Sequence, residues 1–122
     1  MYAVGMAAAL MACTAAWAAA PAADVLNGRW VRPDGGYTIV INSVGVDGKL
    51  EAAYANPRPM PFSKAQSRRD GDTLKVFFEL RAGGYGGSTY ALAYDPASDS
   101  LRGVYHQAVA GQTYVVEFRR AR

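Results

Sequence analysis

The stretch Arg69-Asp70-Gly71-Asp72-Thr73-Leu74-Lys75-Val76-Phe77-Phe78-Glu79-Leu80 decides the fold. Leu74, Val76, Phe78 and Leu80 occupy every second position, with Lys75, Phe77 and Glu79 between them. Successive side chains of a strand point to opposite faces, so this alternation marks a strand with one buried face. Asp70-Gly71 in front of it tolerates the positive φ that a tight hairpin turn requires. The same unit, an alternating run bounded by turn residues, recurs in both directions along the chain.

Eight such runs can be laid out: Gly28 to Arg32, Tyr37 to Val44, Leu50 to Ala55, Ser63 to Arg69, Thr73 to Leu80, Ser88 to Tyr94, Ser100 to Gln107 and Gln112 to Arg120. Pro33-Asp34-Gly35-Gly36, Asp47-Gly48, Asp95-Pro96 and Gly111 supply further turns. No helical periodicity follows Asn27. The pattern predicts an all-β fold, an eight-stranded antiparallel up-and-down meander closing into a small barrel. Two connections are longer. Asn56 to Pro61 holds three prolines and reads as a stiff extended crossing, because proline fixes φ and donates no hydrogen bond. Arg81 to Gly87 is glycine-rich and reads as a flexible hairpin, with Tyr85 at its tip.

Parity assigns the faces. The set Leu74, Val76, Phe78 and Leu80 points inward, and the same rule groups Leu50, Ala52 and Tyr54, then Tyr90, Leu92 and Tyr94, then Leu101, Gly103 and Tyr105, then Tyr114, Val116 and Phe118. The interior is therefore rich in tyrosine, and each buried phenol needs a hydrogen-bond partner. Two interiors satisfy that requirement. One is a filled core with paired hydroxyls, and the other is a pocket for a small amphipathic ligand lined by Tyr54, Tyr90, Tyr105 and Tyr114. An eight-stranded barrel has room for side chains or for one small ligand.

Composition places this architecture in one globular domain: 122 residues, 51% hydrophobic and 19% charged. Every charged side chain lies at or after Asp24, which leaves residues 2–23 as an uncharged, alanine-rich stretch. Ala16-Trp17-Ala18 is a small-large-small site, so residues 1–18 read as a cleaved signal peptide, 19–25 as an N-terminal linker and 26–122 as the barrel domain. Leu10-Met11-Ala12-Cys13 resembles a lipobox, which makes a lipid anchor on Cys13 the alternative and the one route to a membrane in this reading. A retained spanning helix fits less well, because alanine is weakly hydrophobic and Pro21 interrupts the run. The expected location is periplasmic or secreted. Cys13 is the single cysteine, so the domain has no disulfide and depends on its core.

The net charge of +3 comes from ten arginines and three lysines against ten acids. Arg119, Arg120 and Arg122 crowd one end and Arg68-Arg69 form a second pair, a distribution that serves solubility or contact with an anionic surface. No basic and aromatic run resembles a nucleic-acid module, and no nucleic-acid partner is expected.

The residue inventory argues against catalysis. With one histidine and no cysteine after Cys13, a Cys-His pair and a histidine-rich zinc site are excluded from the domain. Ser88, in Gly86-Gly87-Ser88-Thr89-Tyr90, lacks the G-x-S-x-G elbow, and His106 falls on an outward position. Glu51, Glu79 and Glu117 are outward too, where such residues keep a sheet soluble. The glycines at 83–87 lead into a strand rather than a helix N-terminus, so they form no phosphate cradle. No enzyme and no cofactor or metal is expected.

Gly28-Arg29-Trp30 on the first strand, followed by seven more strands ending in Arg119-Arg120, resembles the signature of the calycin barrels, which include lipocalins, fatty-acid-binding proteins and avidins. The resemblance implies that Trp30 packs under the barrel floor, with Gly28 beside it and a basic residue of the last strand lying across the indole. Parity selects Arg120 for that contact rather than Arg119. The chain is shorter than a lipocalin and has no match to the biotin-contacting pattern of avidins, so no ligand identity is implied. Gly87-Ser88-Thr89-Tyr90 and Leu101 to Gln107 are also similar to small exported proteobacterial proteins of unknown function. Two functions are carried forward: an exported barrel binding a small hydrophobic or amphipathic ligand, and an envelope protein-binding module acting through loops 56–62 and 81–87.

Overall fold

A computed structural model of the chain describes residues 21–35, 37–55, 58–81 and 86–121. The expected signal peptide, the Cys13 anchor, the start of the linker, Asn56-Pro57 and the tip of the glycine-rich loop lie outside the described residues. Eight strands form a closed barrel in sequence order: β1 Gly28–Val31, β2 Thr38–Val44, β3 Leu50–Ala55, β4 Pro59–Asp70, β5 Thr73–Leu80, β6 Thr89–Asp95, β7 Ser100–Gln107 and β8 Gln112–Arg120. Every neighbouring pair is antiparallel. The expected meander and its closure are both present.

The hairpin glycines explain the turns. Gly48, Gly71 and Gly111 all have positive φ, and at Gly48 an added Cβ would lie 2.3 Å from the Ser67 carbonyl oxygen. Inward parity holds along β5, where Leu74, Val76, Phe78 and Leu80 are buried. Bulges between Ile41 and Ser43 and between Phe62 and Lys64 help the sheet curl.

Three features depart from the sequence reading. First, β4 begins at Pro59 rather than Ser63, with Pro59, Met60 and Pro61 opposite Ala55, Tyr54 and Ala53. The prolines are tolerated because β5 ends opposite Phe62, so this part of β4 has a partner on one side only. Second, the stretch read as a linker ends in a single 3-10 turn, Ala23–Leu26, whose Leu26 is fully buried. Third, Tyr114 has inward parity but stands at the rim, 45% exposed, because β8 rises beyond the end of β1.

One end of the barrel is sealed. Trp30 is fully buried, its Nε1 donates to the Leu26 carbonyl at 2.9 Å, and Tyr94 meets it edge-on at 6.1 Å. The Arg120 guanidinium lies 4.3 Å from the indole centroid. Its remaining donors reach the Asp99 carboxylate at 2.8 and 3.0 Å, the Asn27 carbonyl at 2.8 Å and the Val25 carbonyl at 2.7 Å. A planar cation thus ties the last strand to the first and to the turn below it. Gly28 is required here: its φ is +140°, and a Cβ would stand 2.8 Å from Arg120 Nη1. Gly28, Trp30 and Arg120 thus meet at the sealed end, in the contact that the calycin resemblance implied. Above this floor, stacked Phe62 and Phe78, 4.6 Å apart, and Phe118 fill the interior.

Candidate functional site

At the opposite end the filling stops, and a pocket of about 310 Å³ opens between Arg32, Tyr37, Tyr54, Tyr90, Tyr105, Gln107 and Tyr114. All four tyrosines singled out from the sequence line it. Inward parity on β3, β6, β7 and β8 aims them at one mouth, and the registers Tyr90↔Tyr105 and Tyr105↔Tyr114 place three in one cross-strand row. Their rings stack in succession, Tyr90 on Tyr105 at 4.6 Å and Tyr105 on Tyr114 at 6.2 Å. Across the pocket Tyr37 stacks on Tyr54 at 6.0 Å. Tyr54 and Tyr90 join the two stacks through a hydroxyl pair 3.1 Å apart.

The floor and the rim differ in exposure. Tyr54 and Tyr90 are buried, whereas Tyr114 reaches solvent with its hydroxyl donating to Gln112. Arg32 follows Trp30 in inward parity and covers the Tyr37 ring at 4.8 Å. Asp34 holds that guanidinium through two bonds of 2.9 and 2.8 Å. The carboxylate raises the Arg32 pKa, and the guanidinium lowers that of Asp34. Arg32, Tyr37 and Gln107 were not selected from the sequence. The parity of Arg32 with Trp30, and of Tyr37 with buried Ile39 and Ile41, was the available signal.

Burial raises the pKa of Tyr54, and the Tyr90 hydroxyl adds to the effect. Tyr90 is also raised by burial, which outweighs the opposing influence of Tyr54 and Arg32. The sign for stability follows. An unfolded tyrosine ionises near pH 10, while these phenols keep their protons in the folded barrel, so the unfolded chain then binds fewer protons. Stability is intact below that pH and falls above it, by up to about 1.4 kcal/mol per pH unit for Tyr54, with Tyr90 acting in the same direction. Urea unfolding followed from about pH 9 to about 12 should show this decline, and Tyr54→Phe should make it shallower. Equal slopes for the two proteins would contradict the burial of Tyr54.

A larger groove of about 420 Å³ lies on the outside of the barrel, where Arg68, Lys75 and Arg102 surround Phe77, Ala91, Ala93 and Gly103. Two of its cations are already engaged, Lys75 with Asp70 at 3.0 Å and Arg102 with Asp95 at 3.4 Å. The mouth pocket is the stronger candidate despite its smaller volume, because its aromatic faces and polar groups converge on one space.

The other side chains considered for chemistry stand apart. Ser88 is buried, its Oγ accepting from the Ala108 amide, while exposed His106 bonds Thr113. Glu117 contacts Arg102 and Arg119 at 3.7 and 3.6 Å, and Glu51 accepts from Ser43. Among the described residues no group of His, Cys, Asp and Glu is placed to hold a metal ion. Comparison with protein-family models, with curated proteins and with solved structures gives no significant match.

Proposed function

We propose that this protein is an exported, non-enzymatic, lipocalin-like barrel that binds a small amphipathic ligand at its tyrosine-lined mouth. The observation that carries the reading is the convergence of Tyr54, Tyr90, Tyr105 and Tyr114 on one open pocket above an interior otherwise filled. Two ring stacks offer apolar faces to a flat or cyclic body. The Tyr54 and Tyr90 hydroxyls, Arg32 and Gln107 offer hydrogen bonds to its polar end. The floor of Gly28, Trp30 and Arg120 supports the calycin-like part of the reading. Export rests on the uncharged alanine-rich segment and on Ala16-Trp17-Ala18. The alternative protein-binding role has less support, since Pro59 to Phe62 of its first loop belong to β4.

Native mass spectrometry of the protein purified from its host's envelope tests the proposal, because it reports a retained small molecule and any acyl group on Cys13. A retained molecule, or a thermal shift with a panel of hydrophobic and amphipathic compounds, is the expected result. No added mass and no shift with any compound would overturn it. Tyr114→Ala should weaken binding about tenfold, a loss of about 1.4 kcal/mol, and leave stability within about 0.5 kcal/mol, because the ring is at the rim. Titration calorimetry and a thermal melt separate the two effects.

A further inference from the structure

The barrel closes over a short seam. β1 pairs with β8 at Trp30↔Arg120 and Val31↔Arg119, and the Ala121 amide donates to the Arg29 carbonyl. β1 then leaves the sheet at Pro33, where the turn toward β2 begins, while β8 extends back to Gln112. Among the described residues no strand pairs with Gln112 to Phe118 on the side away from β7.

The direction of the free backbone groups follows from period two. The Ala121 amide faces β1, so Arg119, Glu117, Val115 and Thr113 turn their N–H and C=O groups to the same side. For Thr113, Val115 and Glu117 that side is the open seam. Protected edges carry lysine, proline or a cover, but this one has neither residue between Gln112 and Phe118, and Val115 is 90% exposed. An apolar cross-strand row leads to it along the outer face, Phe77↔Ala91↔Val104↔Val115.

From this we infer that the seam edge of β8 pairs with the same edge of a second copy, antiparallel about a two-fold axis at Val115. The register is selected by the residues. Centring on Val115 places Thr113 opposite the second copy's Glu117, uses every free group of Thr113, Val115 and Glu117, and gives about six N–H···O bonds, two for each facing pair. Centring on Glu117 sets carboxylate against carboxylate, and centring on Thr113 carries the ladder into the turn at Gly111. The chosen register joins the two apolar rows through Val115 and satisfies the self-complementarity that a two-fold contact demands. On the inner face it sets the second copy's Val116 beside Tyr114, walling the open flank of the tyrosine pocket. The pairing itself does not depend on ligand binding.

Sedimentation equilibrium of the folded protein from about 1 μM to about 1 mM tests the pairing, with ligand-free wild type, Val115→Lys and Thr113→Pro. A ladder this short predicts a wild-type dimer with a dissociation constant on the order of 10 μM. Val115→Lys puts like charges on the axis. Thr113→Pro removes an N–H aimed at the seam and leaves the β7 ladder whole. Each should weaken association more than tenfold with circular dichroism unchanged. A monomer throughout the range overturns the inference, as does a dimer that either variant leaves intact. A wild-type monomer that instead binds an added extended peptide along β8 also overturns it. Loss of ligand binding in a variant that still dimerises would count against the pocket alone.

Discussion

Replacing Trp30 by alanine is expected to cost about 5 kcal/mol, the upper end of the range for removing a buried aromatic side chain. The indole is fully buried and takes part in several interactions at once. Its loss leaves a cavity between Tyr94 and Leu26, deprives the Leu26 carbonyl of its donor and removes the ring beneath Arg120. The last effect spreads, because Arg120 holds β8 to Val25, Asn27 and Asp99, and it is oriented in part by the ring it covers. A domain of this length has about 5–15 kcal/mol of total stability, so the variant should be largely unfolded or close to it at room temperature. Urea denaturation followed by far-UV circular dichroism checks this. A loss below about 2 kcal/mol would mean that the floor contributes little to closure.

Gly103→Ala should have the second largest effect, about 4 kcal/mol, seen as a fall in melting temperature of about 20 °C. A Cβ at this position would lie 2.1 Å from the Ala91 carbonyl oxygen and 2.9 Å from Leu92 Cα. Both atoms are backbone, so no side-chain rotation relieves the clash, and β6 and β7 would have to separate. The Tyr90↔Tyr105 pair is the next inward pair toward the mouth, and its 4.6 Å stack depends on the same strand spacing. Ligand binding should therefore weaken together with stability. A melting temperature within about 5 °C of wild type would show that the two strands tolerate the added methyl group.

Most of the architecture was legible because it is local. Alternation along Leu74 to Leu80 identified a half-buried strand, and Asp-Gly pairs marked hairpins whose glycines do adopt positive φ. For the floor contact that the calycin resemblance implied, parity selected Arg120 over Arg119 as the partner of Trp30. What escaped depends on where strands end relative to one another. Pro59 and Pro61 looked like strand breakers, and only the end of β5 opposite Phe62 makes their missing N–H groups harmless. Tyr114 shared its parity with buried Val116 and Phe118, but its exposure follows from the departure of β1 at Pro33. The same offset brings Arg32 and Tyr37 to the pocket and leaves the β8 edge free. The 3-10 turn at Ala23–Leu26 has no periodic signal, because it is held by contacts with the far end of the chain: Arg120 bonds Val25 and Asn27.

Titration of protein carrying ring-labelled tyrosine and tryptophan with single-chain and cyclic amphiphiles, followed by NMR, most directly tests where a ligand sits. Binding at the mouth should move the ring signals of Tyr54, Tyr90, Tyr105 and Tyr114 together and leave the Trp30 indole N–H in place at the sealed end. Unmoved tyrosine rings, or backbone amide shifts confined to Arg68, Lys75 and Arg102 around the outer groove, would contradict a ligand site at the tyrosine mouth.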